Sequence, residues 1–462
     1  MKRHSLRLAT LALVALAFVS PPAGSTAWAA GTLSATSTDT KDKALPELSD
    51  ASSLSDYLEY AALSNPELEA AFNRWKAALE KVPQAKALPD PRFSYRYFIR
   101  EIETRVGPQR QALEISQTFP WFGKLDLAGD VAMEAARAAQ QRYEAVKLKL
   151  FFEVKDAYYE YYYLARSIAV TRENVELLTH LESVARTRYR TAAGSHPDVI
   201  RAQVELGKLE DQLNSLTDLR GPILARLNVA LNRPIEAELP APKRFESSRV
   251  AIDDRELLAR LEQTNPRISA LAHEVEGYRQ ATKLARREYA PDISLGLSYV
   301  DVAHSDRASQ FSDNGKDAVG AMISLNIPLW RNKYSAGVRE ARLKRLAALH
   351  EKTDATNRLK SELKIALYQF RDAQRKLDLY GNSLVPKATE SVKVTEQSFQ
   401  TGTASFLDLI DAQRTYLDFQ LAYERARADH EQSLARIEML VGADVAFAER
   451  GGPAEAENEV TR

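Results

Sequence analysis

The chain has 462 residues, 45% of them apolar, with 63 Lys and Arg balanced by 63 Asp and Glu. Zero formal charge argues against a nucleic-acid binder that works through a basic face, and a mean hydropathy of −0.37 excludes a bundle of apolar membrane helices. The lack of cysteine excludes disulfides, thiol catalysis, Cys-ligated zinc and lipidation of an N-terminal cysteine, and 18 glycines are few for an all-β or dinucleotide-binding chain, so the composition favours long helices.

Lys2, Arg3 and Arg7 precede a 12-residue apolar run, Leu8 to Val19, which is too short to span a membrane as a helix. Ala27-Trp28-Ala29 has the small-x-small form of a cleavage site. Residues 1–29 therefore read as an export signal peptide, and the polar, small-residue stretch 30–51 as a flexible leader.

From there the chain repeats itself. Asn65-Pro66-Glu67-Leu68 returns as Asn265-Pro266-Arg267-Ile268, and Pro89-Asp90-Pro91 loosely as Pro291-Asp292. Phe119-Pro120-Trp121 returns as Ile327-Pro328-Leu329, and Val199-Ile200-Arg201-Ala202-Gln203 as Leu409-Ile410-Asp411-Ala412-Gln413. The matches keep one order while their offset drifts from 200 through 208 to 210, which marks an internal duplication. The copies are assigned to 52–232 and 251–442, joined by a linker at 233–250 with Pro234, Pro240 and Pro242, and 443–462 reads as a disordered tail.

Each copy carries the same elements: a helix (53–88; 252–289), two strands (about 92–100 and 110–119; 292–300 and 318–327), a very long helix (124–190; 333–400), a tight turn, and a last helix (198–232; 406–441). Leu359, Leu363, Ala366, Phe370, Ala373, Leu377, Tyr380 and Leu384 step alternately by four and three, as do Leu150, Val154, Ala157, Tyr161, Leu164 and Ile168. That is a coiled-coil seam. At 1.5 Å per residue the long helix spans about 100 Å. The two shorter helices of a copy together match its length, so each copy is expected to form one hairpin with a two-part leg.

The strands alternate with period two. Phe93, Tyr95, Tyr97 and Ile99 interleave with Ser94, Arg96, Phe98 and Arg100; Leu113, Ile115 and Phe119 with Glu114, Ser116 and Thr118. Ile293, Leu295, Leu297 and Tyr299 interleave with Ser294, Gly296 and Ser298, and Val319, Ala321, Ile323, Leu325 and Ile327 with Gly320, Ser324 and Asn326. Such strands suit an outer-membrane barrel, apolar outside and polar inside, or a soluble sheet with one wet face. Four strands cannot close a barrel, and an open edge in lipid is not viable, so a membrane role demands oligomerisation.

These elements resemble the TolC-type outer-membrane efflux family over about residues 52–442. The resemblance is carried by Ser64-Asn65-Pro66, by Gln117-Thr118-Phe119-Pro120-Trp121 with Asn326-Ile327-Pro328-Leu329, and by the turns Gly194-Ser195-His196-Pro197-Asp198-Val199-Ile200 and Gly402 to Ala412. It implies a mainly α fold with short β: a homotrimer with a 12-strand barrel in outer-membrane lipid and a periplasmic α-barrel of helical hairpins. It also implies a periplasmic membrane-fusion adaptor and a proton-driven inner-membrane pump as partners. The block 90–108 looks most like the heavy-metal-efflux branch; drugs, other small molecules and secreted polypeptides are the alternative cargoes.

The resemblance further implies a periplasmic gate at Asp408 and Asp411, three apart and so on one helix face, which three protomers would assemble into a cation-attracting ring. Ser405-x-x-Asp408 and Ser195-x-x-Asp198 also have the form of helix caps, which would account for Asp198 and Asp408 without a gate. Asp411 has no such account, since its counterpart in the first copy is Arg201. The tyrosine and arginine that latch closed relatives are replaced here by Phe399 and Ala404, leaving Asp198 as an acceptor and Arg201 and Arg414 as substitute donors. Gly194, Ser195, Gly402, Thr403 and Ser405 lie in the turns expected to meet the adaptor, the two glycines supplying positive φ.

Nothing points to an enzyme. The seven histidines (4, 180, 196, 273, 304, 350, 430) have no ligand spacing, the methionines (1, 133, 322, 439) are scattered, and no phosphate loop or G-x-S-x-G occurs. No cofactor is expected. The expected function is a passive outer-membrane exit duct; the rivals are a soluble periplasmic coiled-coil adaptor and a hydrolase.

Overall fold

The computed structural model describes residues 46–49, 51–243, 245, 253–310 and 312–443. The expected signal peptide, most of the leader, and the tail beyond Ala443 lie outside the described residues. In chain order the elements are α1 (Leu54–Ser64), α2 (Pro66–Leu79), α3 (Lys81–Lys86), β1 (Arg92–Ile102), β2 (Gln109–Phe119), α4 (Lys124–Arg190), α5 (His196–Asp218) and α6 (Arg220–Ala230). The second half gives α7 (Asp254–Thr264), α8 (Pro266–Arg287), β3 (Ile293–Val302), β4 (Ala318–Leu325), α9 (Arg331–Leu379), a π turn at Tyr380–Leu384, α10 (Val385–Thr401) and α11 (Phe406–Val441).

The long α4 and the last helix α11 have the expected bounds, but the second long helix, expected unbroken over 333–400, is interrupted by the π turn, and the shorter helices are segmented. The helix expected over 53–88 breaks at Asn65 and again at Glu80, and that over 252–289 breaks at Asn265. Pro66 and Pro266 lack the amide that would continue the helix. The preceding Asn then starts a new one. Asn65 Oδ1 accepts from the amides of Glu67 (2.9 Å) and Leu68 (3.1 Å), and Asn265 Oδ1 from those of Arg267 (2.9 Å) and Ile268 (3.2 Å). The other end of each amide reaches the far leg: Asn65 Nδ2 donates to the Ala230 carbonyl (3.2 Å), Asn265 Nδ2 to that of Leu440 (2.7 Å). Ser64 and Thr264 hydroxyls add bonds to the carbonyls of Leu231 and Val441 (2.9 and 2.6 Å). The recurring Asn-Pro motif thus joins the two stacked helices of each copy midway along its long helix, by satisfying the last carbonyls of its final helix. The helix expected over 198–232 also divides, because Pro222 cannot donate to the Asp218 carbonyl.

Within each copy the long helix is packed along both halves by the shorter ones, α4 by α1–α3 and α5–α6, and α9 by α7, α8 and α11. The first copy buries Tyr57, Ala61, Leu68, Leu150, Val154, Tyr161, Leu224 and Leu227 in one cluster. The second buries Leu257, Leu261, Ile268, Leu359, Leu363, Phe370, Leu434 and Ile437 in another. The expected seam residues Leu359, Leu363, Ala366, Phe370 and Ala373 are all at most 5% exposed, whereas Leu377, Tyr380 and Leu384 at its lower end are only half-buried. Between the copies, the middle of α4 meets α11 through polar contacts. Lys155 bonds Glu438 (2.6 Å), Arg425 bonds Glu160 (2.8 Å), and Glu424 takes bonds from Tyr162 and Arg166 (3.0 Å each). Farther along, Asn174 bridges Gln420 (3.1 Å) and Gln413 (2.6 Å).

The four strands form one antiparallel sheet in the order β1-β2-β3-β4. Its register decides which residues share a face. Phe93, Ile115, Leu297 and Ala321 form one row across all four strands, and Tyr95, Leu113, Tyr299 and Val319 the next. The row between them holds Ser94, Glu114, Ser298 and Gly320, and the row on the other side of Phe93 holds Arg92, Ser116, Gly296 and Met322. Because side chains alternate, each strand puts most of its large apolar residues on one face and its mostly polar or small ones, with Phe98 and Met322 as exceptions, on the other. The apolar face is bare: Phe93 and Tyr97 are each 66% exposed and Ile99 is 93% exposed. Neither outer edge, β1 or β4, is paired among the described residues.

Candidate gate and tip contacts

At the end of the hairpins opposite the sheet, two turns lie side by side, 191–195 between α4 and α5, and 402–405 between α10 and α11. An apolar cluster joins them: Leu178, Leu181, Ala185, Val199 and Ala202 from the first copy meet Phe399, Phe406, Leu409 and Ile410 from the second. Phe399, a candidate gate-support residue, is buried here, its ring 5.4 Å from that of Phe406.

Gly402 has φ 83, as expected of a helix C-terminus, and the Thr403 amide bonds back to the Ser398 carbonyl (2.9 Å). The first turn differs. Its left-handed residue is Ala192 (φ 61), not Gly194. Gly194 serves close approach instead, since a Cβ there would lie 3.0 Å from Arg188 Cβ.

Ser405 and Asp408 form a reciprocal cap at the start of α11. The Asp408 amide donates to Ser405 Oγ (3.2 Å), and Asp408 Oδ2 accepts from the Ser405 amide (3.0 Å) and hydroxyl (2.7 Å). Those bonds from Ser405 hold the Asp408 carboxyl below the usual carboxylate range. Ser195 likewise donates to Asp198 (2.6 Å), and Arg201 lies 3.7 Å from the same carboxylate. Asp411 is exposed, with Arg414 Nη1 at 3.4 Å from its Oδ1. Arg414 chiefly serves another partner, Glu205 on α5, at 2.5 Å and 3.1 Å through two nitrogens. Hydrogen bonds from Arg414, opposed by burial and joined by Lys208, keep the Glu205 carboxyl below its ordinary value. Arg414 therefore ties the second copy to the first, whereas Arg201 stays within its own helix. Asp408 and Asp411 both reach solvent on the first turns of α11.

One residue that sequence reasoning missed does the most at this tip. Arg188, near the end of α4, donates to the carbonyls of Phe399 and Gln400 (3.0 Å to the latter) and to that of Ala193 (3.0 Å). Its guanidinium also lies over the Phe399 ring, 4.7 Å from the centroid. One planar cation thus holds both turns together. Arg186, Arg188 and Arg190 look alike in sequence, each a base near a helix C-terminus, and only the fold selects the middle one.

Among the described residues there is no group of His, Asp and Glu side chains able to hold a metal, and no helix is long and apolar enough to cross a membrane.

The family model for outer membrane efflux proteins matches residues 58–233 and 257–443. The chain is similar to the outer membrane protein TolC of Vibrio cholerae, 21% identical over 410 residues, covering 85% of this chain and 91% of that one. It is equally similar to the cobalt-zinc-cadmium resistance protein CzcC of Cupriavidus metallidurans, 21% identical over 408 residues, covering 83% and 88%. Among solved structures, the outer-membrane channel OprN superposes with a TM-score of 0.71 at 18% identity, covering 85% of this chain and 90% of that one. CusC does so with a TM-score of 0.70 at 13% identity, covering 84% and 92%.

Proposed function

Because the chain belongs to the outer membrane efflux protein family, we propose that it is the passive exit duct of a tripartite efflux system. In this reading three copies close a 12-strand barrel in the outer membrane, and their hairpins form a periplasmic tunnel about 100 Å long. The observation that carries it is the sheet: one continuous apolar face and two unpaired edges in four strands that cannot close alone. A soluble adaptor has no use for such a face. An inner-membrane pump supplies the energy, a membrane-fusion adaptor meets the turns at Gly194–Ser195 and Gly402–Ser405, and the duct itself does no chemistry. Asp408 and Asp411 form the acidic constriction at the periplasmic mouth.

The relatives' names span metal resistance and protease secretion, so the name alone does not select a cargo; heavy-metal cations are the proposed cargo on the likeness of the block 90–108. Two experiments test the reading. Purified protein added to planar bilayers should give stepwise conductance and cross-link as a trimer; a monomer that forms no pore refutes the duct. A deletion strain should become sensitive to copper, silver, zinc, cobalt or cadmium salts. Sensitivity to hydrophobic drugs alone would keep the duct and overturn the cargo.

A further inference from the structure

Charge on the polar face of the sheet is gathered at one edge. In the registered rows of that face the ionisable residues are Arg92 and Arg96 on β1 and Glu114 on β2. There β3 and β4 bring only small, hydroxyl or apolar side chains. The duplication does not account for this. At the offset of 200 that relates Asn65 to Asn265, Arg96 matches Gly296 and Arg100 matches Val300. Glycine serves at the matching position of β3, so pairing in the sheet does not itself demand arginine.

Both guanidinium groups are left over. Arg92 and Arg96 are exposed, and neither side chain has a hydrogen bond or ion pair among the described residues. Glu114 stands in the row between theirs, one strand away, and is bonded to neither. Beyond Tyr97, where the register shifts, charges pair off instead, Arg110 with Glu101 at 3.3 Å and Arg105 with Asp313 at 3.1 Å.

Closure of a barrel would not neutralise them. β1 is one outer edge of the sheet and β4 the other, so in a ring of three protomers β1 meets β4 of the next. The polar face of β4 holds Ala318, Gly320, Met322 and Ser324 and offers no carboxylate. Three protomers then set six guanidinium groups against three carboxylates around one lumen. Twelve strands about 4.8 Å apart and tilted by about 40° give a wall radius of about 12 Å. The Debye length in 0.1 M salt is about 10 Å, so the surplus charge is felt close to the axis. A low-dielectric wall of one sign concentrates the opposite ion within it.

We infer that Arg92 and Arg96 form a basic collar inside the barrel, which makes the outer half of the duct favour anions and oppose cations. This rests on the exit-duct reading, since it needs a closed barrel with its polar face inward. The collar is the reverse of the acidic mouth at Asp408 and Asp411, so the tunnel carries opposite charge at its two ends. A voltage that drives cations outward fills it from both ends, with cations entering past the mouth and anions past the collar. The opposite voltage drains it, because each end turns away the ions offered to it. Current therefore passes more easily in the direction of export.

Inward-pointing charges on an edge strand also discourage wrong pairing before assembly, a role that leaves ion selectivity untouched, and planar bilayers separate the two. With Asp408→Ala and Asp411→Ala removing the acidic mouth, the reversal potential in a KCl gradient should show chloride preferred over potassium at least about twofold. Adding Arg92→Gln and Arg96→Gln should abolish that preference, while Arg92→Lys and Arg96→Lys should retain it, because charge rather than shape sets it. In the parent, the Gln pair should abolish rectification. The chain has no cysteine, so Arg96→Cys tests the collar with one substitution. Labelling with a cationic methanethiosulfonate should restore the chloride preference that Arg96→Cys weakens, and an anionic one should lower it further. Chloride preference and rectification unchanged by the Gln pair, or by either label, would overturn the collar and leave the arginines as edge protection. Absence of conductance from every one of these proteins would refute the duct itself, whereas pores whose selectivity ignores Arg92 and Arg96 refute the collar alone.

Discussion

Replacing Asn265 by Ala should destabilise the fold more than the matched change at Asn65, although the two residues occupy the same place in the two copies. Each loses a helix cap worth about 1 kcal/mol. Asn265 is 4% exposed, and its Nδ2 is the donor for the carbonyl of Leu440, itself 2% exposed. Stranding a buried carbonyl adds about 1–3 kcal/mol, so Asn265→Ala should cost about 2–4 kcal/mol in all. Asn65 is half-buried and its bond to Ala230 is longer, 3.2 Å, so water replaces the lost donor and the cost stays near about 1 kcal/mol. Asp makes the contrast sharper: Asn65→Asp keeps the cap and should be nearly silent, while Asn265→Asp sets a carboxylate against the Leu440 carbonyl and should cost at least as much as Ala. Thermal unfolding in detergent, followed by helical circular dichroism at matched concentration and scan rate, resolves this, since 1 kcal/mol moves Tm by about 2–4 °C in a domain of this size. Equal shifts for the two Ala variants would refute the argument that burial of the far carbonyl sets the difference.

Other expectations concern the tip. Arg188→Ala should raise the open fraction of single channels in bilayers, and Arg188→Lys should recover only part of the closure, because an ammonium cannot fork to three carbonyls; full recovery by Lys would show that charge alone suffices. Asp408→Ala with Asp411→Ala should raise conductance and weaken block by divalent cations, and unchanged block would leave Asp408 as a cap only. The Asp408 carboxyl titrates below its ordinary value because Ser405 bonds the charged form. Its contribution to stability is therefore complete above the unfolded pKa, about 3.9, and is lost as pH falls through the depressed folded value. Parent and Asp408→Asn should accordingly differ in Tm at pH 7 and converge as the pH falls through the depressed folded value. A difference that persists at the lowest pH would contradict that linkage.

The regular parts of this fold are readable because they repeat one physical rule over many residues. The seam from Leu150 to Ile168 marks a long helix, α4 runs over the expected 124–190, and alternation places the four strands to within two residues. Single events are harder. Asn65-Pro66 marks the repeat in sequence without disclosing its capping bonds, and the π turn hides in a helix whose residues on either side obey the expected pattern. Arg188 is invisible because its partners are main-chain carbonyls, two of them some 210 residues away, which no side-chain pattern records. Gly194 and Ala192 show the same limit in reverse, since glycine marks a turn without saying which residue takes the left-handed angle.

The bare sheet edges also bear on how the protein is made. A lone protomer presents an apolar face and two rows of unsatisfied main-chain groups, so it has no stable place in water or in lipid. Insertion and assembly then have to be one concerted event, and the membrane acts as a proofreader of stoichiometry. In the proposed trimer every ring needs all six edges sound, so the yield of ducts falls as the cube of the fraction of intact chains. A minority of copies with a single damaged edge strand would disable far more ducts than their number, and such alleles should behave as dominant.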